Sequence, residues 1–189
     1  MCYNMKEEPS IIQIKYENRL SLKNKLARLA WMTFSIFFFK PFPSKVFRPW
    51  RNCVLRLFGA QIASTASVHA SVKIWAPWNL IVGEFSCISD NVDCYNVDRI
   101  VLRQFVTVSQ RTFLCTASHN INSKEHELIT SPIVIQDRAW VAAEAYIGMG
   151  VTIGEGSVVG ARAAVYQDVE NWTVVGGNPA RRIKMRNLY

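Results

Sequence analysis

The stretch from Ile135 to Val165 reads IQDRAW VAAEAY IGMGVT IGEGSV VGARAA V, and every sixth residue is a β-branched aliphatic: Ile135, Val141, Ile147, Ile153, Val159 and Val165. Four residues after each of the first five stands a small or slender side chain, Ala139, Ala145, Val151, Ser157 and Ala163, and glycine follows directly at Gly148, Gly154 and Gly160. A helix repeats at 3.6 and a half-buried strand at two, so neither accounts for this period. A repeat of six belongs to a β-helix. Each hexapeptide makes one short strand and one tight turn, and three make a triangular coil. The aliphatic residue points into the shaft, the small one fits where two faces meet, and each strand pairs with those above and below.

Upstream, the period runs through Ile62, Val68, Ile74 and Leu80, slips by two to Val82, Ile88, Cys94 and Ile100, and continues through Leu102, Val108 and Leu114. It breaks between Thr116 and Pro132. The prediction is a mainly β fold: a parallel β-helix over 60–189, with a protruding loop at 117–132 and a short C-terminal tail at 170–189.

Residues 1–59 are a separate, helical N-terminal segment. The first twenty are polar and without period. Leu22, Leu26, Leu29, Thr33, Phe34 and Phe37 then recur at helical spacing until Pro41 and Pro43 break the pattern. A second helix follows, with Pro49 in its first turn, an apolar stripe of Trp50, Cys53, Val54, Leu57 and Phe58, and Gly59 at its C-terminal cap. From Met1 to Leu57 there are eleven Lys and Arg against three acids, and from Phe58 to Tyr189 eleven of each, so the net charge of +8 belongs to the N-terminal segment. Either this is a solvated basic face or it meets an anionic partner. The uncharged run from Leu29 to Phe39 falls short of the roughly 20 residues that span a bilayer. Residues 22–58 therefore suit peripheral contact with a membrane, or packing of Trp31, Phe34 and Phe37 on the protein or another subunit. No nucleic-acid motif is present. There is no signal-peptide pattern, and the five cysteines form neither a disulfide framework nor a zinc motif, which predicts a cytoplasmic protein with reduced thiols and Cys94 and Cys115 as small core residues.

The interruption carries the chemistry. It holds Ser118, His119, Asn120, Lys124, Glu125, His126 and Glu127 between two well-formed repeats. Acyl transfer to a hydroxyl needs a base, which neutral imidazole supplies, N–H donors for the oxyanion, and cations for a phosphorylated carrier. His119 fits the first need, backbone at a coil corner the second, and Arg181, Arg182, Lys184 and Arg186 the third. His126, in the charged run Lys124–Glu127, and His69, with no charged neighbour in sequence, read as ordinary side chains.

Thr116-Ala117-Ser118-His119-Asn120, Ala139-Trp140-Val141-Ala142-Ala143, Ile147–Gly154, Gly160-Ala161 and Val175–Ala180 together resemble the maltose and galactoside O-acetyltransferases, hexapeptide-repeat enzymes with a left-handed parallel β-helix. The resemblance covers roughly Ile62 to Lys184. Ile74–Leu80 and Asp93–Val97, preceded by a basic aromatic segment, resemble the colanic acid biosynthesis acetyltransferases still more. The resemblance implies acetyl-CoA as co-substrate, no required metal, direct transfer without a covalent enzyme intermediate, and a homotrimer whose sites lie between neighbouring chains. It assigns the general base to His119 and acceptor contacts to Asn96, Asp93 and Tyr95. Acetyl-CoA contacts fall on Trp140, Ala143, Ala161 and Lys184. The acceptor it implies is a sugar of an exopolysaccharide or surface glycan. Two departures stand out: Arg138 replaces a glycine, and Tyr166-Gln167 replaces a Thr-Lys pair. Two rival functions are a non-catalytic β-helix scaffold and a γ-type carbonic anhydrase, the latter requiring His69, His119 and His126 to share a zinc ion.

Overall fold

The structure, a computed structural model, describes residues 21–187; residues 1–20, expected to be a loose arm, lie outside them. Five coils form a parallel β-helix. The first holds β1 (Gln61–Ile62), β2 (Ser67–Val68) and β3 (Lys73–Ile74); the second β4 (Leu80–Val82), β5 (Cys87–Ile88) and β6 (Asp93–Tyr95); the third β7 (Ile100–Leu102), β8 (Thr107–Val108) and β9 (Phe113–Cys115). The interruption is an antiparallel hairpin of β10 (Ala117–His119) and β11 (Leu128–Thr130). Coil four holds β12 (Ile133–Ile135), β13 (Trp140–Val141) and β14 (Tyr146–Ile147); coil five holds β15 (Thr152–Ile153), β16 (Val158–Val159) and β17 (Ala164–Val165). The first face stacks β1-β4-β7-β12-β15 and the third stacks β3-β6-β9-β14-β17. The second runs β2-β5-β8-β13-β16 and continues into β18 (Thr173–Gly176) and the antiparallel β19 (Arg181–Met185). Much of the expected tail is thus wall of the solenoid.

All six aliphatics of the quoted stretch are buried, and Ala139, Ala145, Ser157 and Ala163 are buried at the corners. Each fully buried Ile contributes about 2 kcal/mol of transfer free energy. The two-residue slip is a lengthened first-face strand. Leu80 and Val82, Ile100 and Leu102, and Ile133 and Ile135 each point inward from one three-residue strand, because alternate residues share a face. Cys94 and Cys115 are buried as expected, and burial pushes the Cys94 thiol pKa up.

A stack of parallel coils ends in an edge of unpaired backbone, which must be covered. The helices α1 (Leu22–Phe38) and α2 (Arg48–Leu57) cover the first coil. One side chain reaches one strand carbonyl on each face. Arg56 Nε donates to Ile62 O at 2.8 Å, Arg51 Nε to Val68 O at 2.9 Å, and Trp31 Nε1 to Ile74 O at 2.8 Å. Asn52 Nδ2 adds a bond to the corner carbonyl of Ala66. This corrects the expected stripe of α2: Arg51, Asn52, Val54 and Leu55 face the solenoid, while Trp50, Cys53 and Leu57 are exposed. Polar residues won the inner face because the solenoid end is itself polar backbone.

Candidate active site

The hairpin leaves the corner between the third and first faces and is tied to the coil beneath it. Thr116 donates from both N–H and Oγ1 to Tyr95 O, Ser131 N–H donates to Thr116 O, and the Thr130 hydroxyl donates to Asp98. His119 ends β10, opposite Leu128 of β11, and is exposed. Its Nδ1 lies 2.6 Å from the carbonyl oxygen of His126. A carbonyl only accepts, so Nδ1 carries the hydrogen and the ring's lone pair sits on Nε2. The same bond orients the imidazole. His126 contributes through its main chain, in a left-handed conformation at φ 43°. Its side-chain identity gave no hint of this. Asn120 closes the hairpin by donating its amide to Glu127 at 2.7 Å.

Asp93 and Tyr95 lie on the third face below the hairpin, partly exposed. They help line a groove of about 380 Å³ between that face and α1, together with Arg28, Lys73 and Trp75. Arg28 sits over the Trp75 ring at 3.2 Å, and Lys73 pairs with Asp93 at 3.7 Å. An aromatic ladder climbs this face: Trp75, Tyr95, Phe113, Tyr146 and Tyr166, with successive centroids 4.8–6.4 Å apart. Burial, then the neighbouring Cys115, pushes Tyr146 up to about 12, so it remains a neutral donor. Asn96, expected to contact the acceptor, is placed inside the corner. It is fully buried, its Oδ1 accepts from Trp75 N and Ala76 N, and its Nδ2 donates to Ala76 O. It braces the corner that carries the groove and presents nothing to solvent.

Trp140, Ala143, Ala161 and Lys184 gather elsewhere. Trp140 is 46% exposed on the second face, its Nε1 donating to the Ser109 hydroxyl at 2.9 Å. Lys184 lies on the same face in register with Trp140 through Val158 and Val174, three strand spacings or about 14 Å away. Ala143 and Ala161 stack at the corner between the second and third faces, where Arg162 N–H donates to Ala143 O. Neither Ala143 N–H nor Ala161 N–H donates to a backbone carbonyl among the described residues, so this corner offers main-chain donors to a ligand. Glu144 there bridges Arg162 at 2.6 Å and Arg111 at 3.4 Å, and these cations, Arg162 first, lower its pKa. Arg111, Glu144 and Arg162 share one turn position in successive coils, all with positive φ, and a charged residue recurring there is the sign of this ion triad that the sequence carries.

Other expectations resolve locally. His69 has an acidic partner after all: Asp90, from the next coil, lies 2.7 Å from its Nδ1. Among the described residues no group of three His, Cys, Asp or Glu is placed to hold a metal ion. Arg138 has φ 58°, which explains why glycine suits that position, and its side chain pairs with Glu155. Tyr166 and Gln167 line a groove of about 460 Å³ with Arg181 and Arg182. Within one chain, then, His119 and the third-face groove occupy one edge of the prism. The Trp140 face and the Ala143–Ala161 corner lie on another part of its surface.

No family model matches the chain. The chain is 39% identical over 144 residues to the Escherichia coli (strain K12) protein named colanic acid biosynthesis acetyltransferase WcaF, covering 76% of this chain and 79% of that one. It is 26% identical to the galactoside O-acetyltransferase of the same organism, over 77% of this chain and 72% of that one. Among solved structures, a hexapeptide-repeat acetyltransferase of Vibrio cholerae O1 biovar eltor, complexed with acetyl coenzyme A, superposes with a TM-score of 0.80 at 25% identity, over 92% of this chain and 94% of that one. The six-residue repeat, the hairpin that interrupts it and these similarities together make the chain a member of the hexapeptide-repeat acetyltransferase family of left-handed parallel β-helix proteins, and an acyltransferase.

Proposed function

We propose that the protein transfers the acetyl group of acetyl-CoA to a sugar hydroxyl of an exopolysaccharide or surface-glycan intermediate, in the cytoplasm, as a homotrimer. The observation that carries the reading is the His119–His126 hydrogen bond, which makes Nε2 a base. The acceptor hydroxyl loses its proton to Nε2 as its oxygen attacks the thioester carbon. The resulting oxyanion is stabilised by main-chain N–H at the Ala143 corner. As the C–S bond breaks, the imidazolium returns the proton to the departing thiolate, leaving ester, coenzyme A and neutral His119. No covalent enzyme intermediate is required.

Asp93 and Tyr95 hold the acceptor in the groove beside the aromatic ladder, whose ring faces suit the apolar face of a sugar, while Asn96 keeps that corner in shape. Trp140, Ala143, Ala161 and Lys184 hold acetyl-CoA. The separation of these two groups on the prism supports a site made by two neighbouring chains. The names of the relatives support a glycan acceptor, and the acetyl-coenzyme A complex of the structural neighbour supports the donor. The test is mass spectrometry of candidate glycan intermediates incubated with the protein and isotopically labelled acetyl-CoA. Ester-linked label on a sugar, lost with His119→Ala, is the expected result. Equal labelling by that variant would overturn the role of His119, and labelling of amines alone would overturn the hydroxyl acceptor.

A further inference from the structure

Helix α1 turns its apolar residues the wrong way for a helix that only covers the solenoid. Trp31 and Ser35 point inward and are buried. At about 100° per residue, the opposite stripe is Leu22, Leu26, Leu29, Thr33, Ile36 and Phe37. All are exposed, Leu26 by 57%, Leu29 by 61% and Phe37 by 64%. A surface helix ordinarily puts polar residues there. The stripe runs into an aromatic cluster at the C-terminal end of α1. Phe42 packs edge-on against Phe47 and Trp50, and Trp50 Nε1 donates to Phe38 O at 2.7 Å.

The charges around this surface are of one sign. From Asn18 to Gly83 the sequence contains ten Lys and Arg and no Asp or Glu. Arg51 and Arg56 are spent on solenoid carbonyls and Arg28 on Trp75. Lys23, Lys25, Lys40, Lys45 and Arg48 are exposed and in no ion pair among the described residues. Lys23 and Lys25 flank the stripe on its two sides, where long stems let ammonium groups reach headgroups while leucines enter the acyl boundary. No described helix is long and apolar enough to cross a membrane.

We propose that α1 lies in the plane of an anionic lipid bilayer, its outward stripe inserted at the interface and its lysines on phosphates. A second copy of the chain is the poorer occupant, because mating this surface with its own kind opposes cations with no carboxylate between them. Anionic lipid satisfies both the apolar stripe and the charge.

The test sediments the full chain with vesicles of phosphatidylcholine alone and with one third phosphatidylglycerol. Binding to the anionic vesicles, weakened by salt, is expected. Leu26→Glu with Leu29→Glu, and separately Lys23→Glu with Lys25→Glu, should each weaken it about tenfold or more, with helical circular dichroism and light-scattering mass unchanged. Absence of wild-type binding to anionic vesicles, or full binding by both double variants, would overturn the proposal. So would a fall in light-scattering mass for the leucine variant, which would assign the stripe to a second copy. The assay needs no acceptor, so it stands apart from the transfer reaction.

Discussion

His119 and His126 meet across one hairpin, and in the proposed mechanism they divide a single task between side chain and backbone. The imidazole of His119 carries the lone pair, and the carbonyl of His126 fixes which nitrogen has it. His119→Ala is therefore expected to lower kcat about a thousandfold, read as coenzyme A thiol release. His126→Ala keeps its carbonyl and should leave kcat close to wild type; an equal loss in both variants would show that the His126 side chain is what the site needs. The sequence marks His119 because its neighbours form a local motif. It says nothing of the His126 carbonyl, since every residue has one. His69–Asp90 and Asn96–Trp75 were hidden for another reason: each joins residues about one coil apart, and only strand register brings them together. A side chain's partner one coil away is legible once the coil length is known, and here the lengthened first-face strands obscured it.

The same contrast holds for whole turns and caps. Gly148, Gly154 and Gly160 look equivalent in sequence, each following an inward aliphatic, but a Cβ on Gly154 would stand 2.6 Å from Asn171 N and Val169 O. Gly154→Ala must move backbone and should cost about 2 kcal/mol. At Gly148 the nearest atom would be 3.3 Å away, and Gly148→Ala should stay within about 1 kcal/mol of wild type. Urea denaturation at one fixed protein concentration compares them. The helical cap gives a larger effect. Arg51, 1% exposed, donates to Val68 O, Phe42 O and Ser44 O. Arg51→Met strands these carbonyls and should cost about 3 kcal/mol, whereas the exposed Lys45→Ala should change stability by less than about 0.5 kcal/mol. A loss at Arg51 no greater than at Lys45 would show that water satisfies the coil edge. The repeat was legible because inward residues must be apolar at fixed spacing. The inner face of α2 was not, because hydrophobic periodicity assumes an apolar partner and this helix covers polar backbone.

At the scale of the molecule, the proposed site residues fall into two groups on different parts of the prism, and that bears on the proposed trimer. His119, Asp93 and Tyr95 lie by the third face and its corner with the first; Trp140 and Lys184 lie on the second, with Ala143 and Ala161 at its far corner. If each site is built by two chains of a cyclic trimer, variants defective in opposite halves must complement. His119→Ala and Trp140→Ala trimers should each be inactive or nearly so on their own. When the two are unfolded, mixed in equal amounts and refolded, about three quarters of trimers contain both chains. Going round any mixed ring, one junction of the three joins an intact His119 to an intact Trp140. About a quarter of the wild-type site number should therefore reappear, measured as coenzyme A release against a wild-type control refolded in parallel. A site held within one chain gives no intact site at any mixing ratio, because every chain carries one lesion. Activity proportional to the product of the two chain fractions, greatest at equal mixing, is the outcome expected of a site shared between two chains.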